Sequence, residues 1–127
     1  MSHSGSRTIL IVDDSRDIAD VLVELFTSHG HEVRAVYCGA DAIAAVVRMA
    51  PDIVFLDISM PDMNGFEVAA TVRSLVDRSP KLVAFTSFEG AAFRKRIDAA
   101  GFDLHVAKPA EVHRLLAALE IAPAAHG

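Results

Sequence analysis

A doubly wound α/β domain, with five parallel strands in the order 2-1-3-4-5 and helices on both faces, is the fold class this sequence predicts. Three observations carry that prediction. Short apolar runs alternate with helical patterns from end to end, the signature of βαβ units covered on both faces. ILIV, IVFL and LVAF are apolar throughout, as central strands must be, whereas EVRAV and DLHVA alternate polar with apolar, as edge strands do. Finally, four runs end on reactive groups: TILIVDD on Asp13 and Asp14, DIVFLD on Asp57, KLVAFT on Thr86 and DLHVAKP on Lys108. Ligands of open parallel sheets bind beyond the carboxyl ends of the strands, so these side chains are expected to converge.

The elements follow in order. After the first strand, Ser15 or Asp14 can cap a helix in which Ile18, Leu22, Leu25 and Phe26 recur at helical spacing, with Gly30 as the stop. The second helix is marked by Ile43, Val46 and Val47, the third by Val68, Val72 and Leu75, and the fourth by Phe93 and Ile97. Val112, Leu115, Leu116 and Leu119 mark the fifth, which Pro123 ends. Right-handed crossovers with edge strands two and five give the order 2-1-3-4-5, whose switch point lies between strands one and three. Asp13, Asp14 and Asp57 flank that point.

Length and composition set the limits. The 127 residues suffice for one core, so one domain is expected over residues 7–121, with 1–6 as a flexible leader and 122–127 as a frayed tail. The chain contains neither an apolar run of membrane-spanning length nor a secretory signal, and with a single cysteine, Cys38, it is expected to be cytoplasmic. A net charge of −5 argues against a nucleic-acid-binding surface. The acids are concentrated in the first half: residues 1–62 hold ten acids and four bases, and the strand-end aspartates contribute to that excess. No internal repeat or linker to an output domain is recognisable.

The strand-end groups have a coherent chemistry. Taken singly, Asp13 and Asp14 could be helix caps and Asp57 an ordinary strand end, but three converging carboxylates repel one another and call for a divalent cation. Mg²⁺, with Mn²⁺ as an alternative, suits hard oxygen ligands set between carboxylates and phosphate. Aspartate can act as a nucleophile in phosphoryl transfer, and Asp57, on the most apolar central run, is the best-placed candidate. Lys108 and Thr86 can supply the ammonium and hydroxyl that the added phosphoryl charge requires.

These residues resemble the receiver domain of two-component response regulators, a flavodoxin-like fold, over roughly residues 7–121. The resemblance rests on Asp13-Asp14, the segment from Asp57 to Gly65 (DISMPDMNG), Thr86 and Lys108-Pro109. It implies that Asp57 accepts a phosphoryl group from a histidine kinase or histidine phosphotransfer protein. It further implies that Asp14, Asp57 and the backbone carbonyl of Ser59 bind Mg²⁺, with Asp13 assisting through water, and that Lys108–Pro109 is a cis peptide. One position departs from the common pattern. His105 stands where many receivers carry the Tyr or Phe that rotates inward; it is either an exposed edge-strand residue with no role or a switch with weaker or pH-dependent coupling. Ser59 and Phe88 occupy positions that tune dephosphorylation, and bulky Phe88 is expected to lengthen the acyl-phosphate lifetime unless it serves packing or a partner contact.

The function expected is therefore a phosphorylation-activated switch, not an enzyme with a substrate of its own. A protein target would meet the face of the fourth helix, fifth strand and fifth helix, and the chain would be a monomer or weak dimer. The receiver portion of a hybrid kinase is the nearest variant, since GFDLHVAKP resembles such receivers. A phosphatase of the haloacid dehalogenase type also uses a strand-end Asp with Mg²⁺, Thr and Lys, but expects a second Asp where Ser59 stands. Arg94-Lys95-Arg96 reads as a solvated helix face, and His29 and His31 as a surface turn without a third metal ligand.

Overall fold

In a computed structural model, which describes residues 6–60, 62–87 and 90–121, the alternation of runs becomes five βα units. They are β1 (Thr8–Val12), α1 (Arg16–Ser28), β2 (Glu32–Val36), α2 (Gly39–Met49), β3 (Ile53–Leu56), α3 (Gly65–Leu75), β4 (Lys81–Thr86), α4 (Ala91–Ala99), β5 (Leu104–Ala107) and α5 (Val112–Ala118). A short 3₁₀ turn, Leu119–Ile121, follows. Every strand pair is parallel, and the order is β2-β1-β3-β4-β5, as the strand compositions predict.

Strand alternation splits the core into two layers. Ile9, Ile11, Phe55, Val83, Phe85 and Val106 face α1 and α5, meeting Ala19, Leu22, Phe26, Leu115 and Ala118. Leu10, Val12, Val54, Leu56, Leu82 and Ala84 face the opposite way, onto α2, α3 and α4 through Ala42, Val46, Val68, Ala69, Val72 and Ile97. Both faces of the central strands are thereby dry, which is why those strands read as unbroken apolar runs.

Helix faces depart from the expectation at four residues. Ile18, Val47, Leu75 and Val112 belong to the apolar periodicity, yet all four are exposed. The buried contacts are made instead by the small residues Ala19, Ala42, Ala69 and Ala118, each almost fully enclosed. An alanine lets a helix approach the sheet closely, and a pattern read from bulky side chains rotates the inferred face away from it. At the α1 start, Ser15 is the cap, its side chain accepting from the Ile18 amide, and Asp14 is free for the site. At the α1 end, Gly30 stands at φ +89°, as the stop signal requires. Pro123, which lies in the expected tail, falls outside the described residues.

Two carboxylates pin the end of the sheet remote from the strand-end cluster. Asp52 accepts from the Thr8 amide, and Asp103 from the Leu82 amide, both at 2.8 Å. Each reaches from the loop entering one strand to its neighbour and fixes their register. At the same end, the His31 ring nitrogen Nδ1 accepts from the Arg7 amide at 3.0 Å, and burial followed by the Arg7 charge lowers the His31 pKa. His29 lies beside it with its ring against the Leu25 carbonyl, so the pair forms the expected turn. Among the described residues, no helix is long and apolar enough to cross a membrane.

Candidate functional site

The carboxyl ends of β1 and β3 bring the three aspartates together. One carboxylate oxygen from each of Asp13, Asp14 and Asp57 lies within 4.8 Å of the others. The backbone sets this spacing, because the Asp57 amide donates to the Val12 carbonyl and holds the two strand ends side by side. Asp13 is fully buried and Asp57 is 5% exposed, whereas Asp14 stands open at the rim. Three hard oxygen donors with one solvent-facing side fit Mg²⁺, which keeps several of its waters.

Lys108, which follows β5, reaches between the two buried acids. Its Nζ donates to Asp13 Oδ2 at 2.6 Å and lies 3.5 Å from Asp57 Oδ2. The other oxygens are also engaged: Asp13 Oδ1 accepts from the Ser15 amide at 2.9 Å and Asp57 Oδ1 from the Ser59 amide at 3.1 Å. The Lys108 amide donates to the Thr86 carbonyl, joining the ends of β4 and β5, and the Lys108–Pro109 peptide is cis. Phe85, which the sequence reading passed over, supports the ammonium with its ring centroid 5.0 Å from Nζ. Its only sequence signal was its place beside Thr86.

Burial pushes the Asp57 pKa up from 3.8 to about 6; the Lys108 ammonium opposes that shift and the Asp13 charge adds to it. Without a cation the folded chain therefore retains a proton that the unfolded chain releases, and stability falls as pH rises from about 4 to 6. Asp57→Asn removes that penalty. Urea unfolding in EDTA should show the variant more stable than wild type by about 1–2 kcal/mol at pH 7, with the gap closing near pH 4. Added Mg²⁺ should narrow the gap at pH 7, because a cation held by the native wild-type carboxylates would stabilise their charged form.

The remaining candidates are placed as follows. Thr86 is the last residue of β4 and only 1% exposed, with its side chain on the Leu82 and Ala84 face of the sheet. His105 in β5 pairs with Ala84 and points to that same face, opposite to Val106, so it shares with Thr86 the side covered by α4. It is half-buried rather than fully exposed. Ser59 is exposed directly after the buried Asp57-Ile58 pair. Phe88 lies outside the described residues.

The loop after Asp57 shows why a glycine closes its motif. The Gly65 amide donates to the Ile58 carbonyl at 2.9 Å, and a Cβ on Gly65 would stand 2.8 Å from Ile58 Cα. Next to it, Asn64 caps α3 in a reciprocal box with Glu67. The loop after Asp57 is thus tied to the α3 start.

A family model described as the response regulator receiver domain matches residues 9–120. The chain belongs to that family. The receiver fold is also found in solved structures. The chemotaxis protein CheY4 of Vibrio cholerae is 25% identical, with a TM-score of 0.83 over 91% of this chain and 97% of that one. A LuxR-family DNA-binding response regulator from Staphylococcus aureus is 26% identical, with a TM-score of 0.81 over 91% and 97%. The signal receiver domain of a Luxo repressor protein from Vibrio parahaemolyticus shares the fold at 22% identity, with a TM-score of 0.84 over 91% and 88%. This receiver domain is therefore a component of two-component signalling, and its strand-end acids form a cluster compatible with Mg²⁺.

Proposed function

We propose that this receiver domain is a phosphorylation-activated switch in which Asp57 accepts a phosphoryl group from a phosphohistidine of a kinase or phosphotransfer protein. The observation that carries this reading is the arrangement about Asp57. It is a buried carboxylate with one oxygen on the Ser59 amide and the other beside Lys108, and it shares a cation-sized cluster with Asp13 and Asp14. An Asp57 oxygen attacks phosphorus while the P–N bond breaks, and the electron pair leaves with the donor imidazole. Mg²⁺ held by Asp14, Asp57 and the Ser59 carbonyl would supply the positive charge that aligns and neutralises the phosphoryl oxygens. Lys108 and the Ser59 amide donate to those oxygens, and the Thr86 hydroxyl moves toward them. Asp13, with both oxygens engaged, keeps Lys108 in place and would assist the cation through water.

The product is an acyl phosphate on the protein itself, so the chain receives a group rather than turning over a substrate. Displacement of Thr86 would then alter the α4–β5–α5 face, with His105 on the same side of the sheet, for recognition by a protein target. Incubation with a small phosphodonor and Mg²⁺, read by intact mass, should add one phosphoryl group to wild type and none to Asp57→Ala. Uptake by the alanine variant would reassign the acceptor. Sustained multiple turnover of a phosphate ester would favour the phosphatase reading instead.

A further inference from the structure

The segment following the acceptor is held from outside by a carboxylate that the proposed chemistry does not use. Asp62 accepts from the Gly39 amide with both oxygens, at 3.1 and 3.0 Å, and from the Ala40 amide at 3.3 Å. These are first-turn amides of α2, whose own cap residue Cys38 makes no side-chain capping bond. Asp62 thus caps α2 from 23 residues away in the chain. The same amides, led by that of Gly39, lower the Asp62 pKa, so it is anionic at neutral pH. A second contact lies alongside: a Cβ on Gly39 would come within 2.7 Å of Met63 Cγ, so Met63 rests directly on the glycine backbone.

Among the described residues, the acceptor loop is otherwise held by its own bonds, by the start of α3 and by the burial of Ile58 and Met60 in the core. Its base is fixed by the Gly65–Ile58 bond, and its first residue, Ser59, donates to Asp57 Oδ1. The tip, at Asp62 and Met63, is what α2 holds. Three charge-assisted bonds there hold Asp62, which stands three positions after Ser59, the residue whose amide and carbonyl both serve the site.

We infer that Asp62 is a positioning residue, which clamps the acceptor loop onto the α2 N-terminus and so sets the affinity of the site for Mg²⁺. The inference rests on the proposed role of the Ser59 carbonyl as a cation ligand. Supporting groups of this kind alter metal affinity without touching the metal.

Mg²⁺ titration of the full chain, followed by NMR or calorimetry at physiological ionic strength, provides a test that does not depend on phosphorylation. Asp62→Ala should bind Mg²⁺ about tenfold more weakly than wild type. Asp62→Asn loses the charge but keeps one acceptor oxygen, and should lose about threefold. Phosphoryl uptake by Asp62→Ala should need correspondingly more Mg²⁺ and reach the wild-type rate at saturation. Equal losses in the two variants would reduce Asp62 to a general charge effect, and an unchanged affinity in a folded Asp62→Ala would overturn the inference. If wild type binds Mg²⁺ but gains no phosphoryl group, the proposed function fails while the titration still decides the role of Asp62.

Discussion

Lys108→Met is expected to lose about 3 kcal/mol of stability at pH 7 in Mg²⁺-free buffer, a large effect for one side chain outside the hydrophobic core. Lys108 is the ammonium between two buried carboxylates, at 2.6 Å from Asp13 and 3.5 Å from Asp57. Methionine conserves most of its volume, so the loss isolates the charge. Removing one partner of such a group leaves the others without compensation, which costs more than the intact arrangement contributes. The pH dependence follows from the same balance. Losing the ammonium, which opposes the rise in the Asp57 pKa, raises it further, so the variant is penalised more as pH rises and recovers as Asp57 takes up its proton near pH 5. Mg²⁺ should restore part of the loss by replacing the missing positive charge. Urea unfolding followed by circular dichroism, at pH 5 and 7 with and without Mg²⁺, measures all four states. A loss below about 1 kcal/mol at pH 7 would mean that the carboxylates have another partner.

Gly65→Ala is expected to cost about 2–3 kcal/mol and to slow phosphoryl uptake by roughly tenfold or more. The new methyl would stand 2.8 Å from Ile58 Cα and 2.9 Å from the Asp57 carbonyl oxygen, both backbone atoms that cannot swing aside. The loop or α3 must shift, and either movement displaces the backbone that aims the Asp57 carboxylate. Gly30 supplies the contrast. It needs glycine for its positive φ, but open space surrounds its Cβ position. Gly30→Ala should therefore cost about 1 kcal/mol and leave uptake unchanged. Thermal unfolding together with intact-mass kinetics separates the two cases. Wild-type uptake in Gly65→Ala, within a factor of two, would show that the loop after Asp57 tolerates the displacement.

Much of the site was legible because its residues end strands. Asp13, Asp14, Asp57, Thr86 and Lys108 each close a run whose apolar character announces a buried strand, and a parallel sheet gathers such ends at one edge. Helix faces were less legible. Val47 and Leu75 follow the bulky apolar rhythm and are solvated, while Ala42 and Ala69, unremarkable in sequence, carry the packing. Asp62 was visible only as part of a motif. Its role depends on the amides of Gly39 and Ala40, which no local pattern connects to it.

By itself, then, the sequence determined the order of elements, the order of strands and that Asp13, Asp14, Asp57 and Lys108 would meet at the strand ends. These follow from short-range periodicity, turn chemistry and the rule that continuously apolar strands lie centrally. Only the tertiary structure decided how the gathered groups divide their contacts. Lys108 reaches Asp13 across 95 positions, both Asp13 oxygens are occupied, and Asp62 spans 23 positions to hold α2. Hydrogen bonds and ion pairs act over a few ångströms in space, whatever the separation along the chain, so such partners exist only once the strands have been brought side by side.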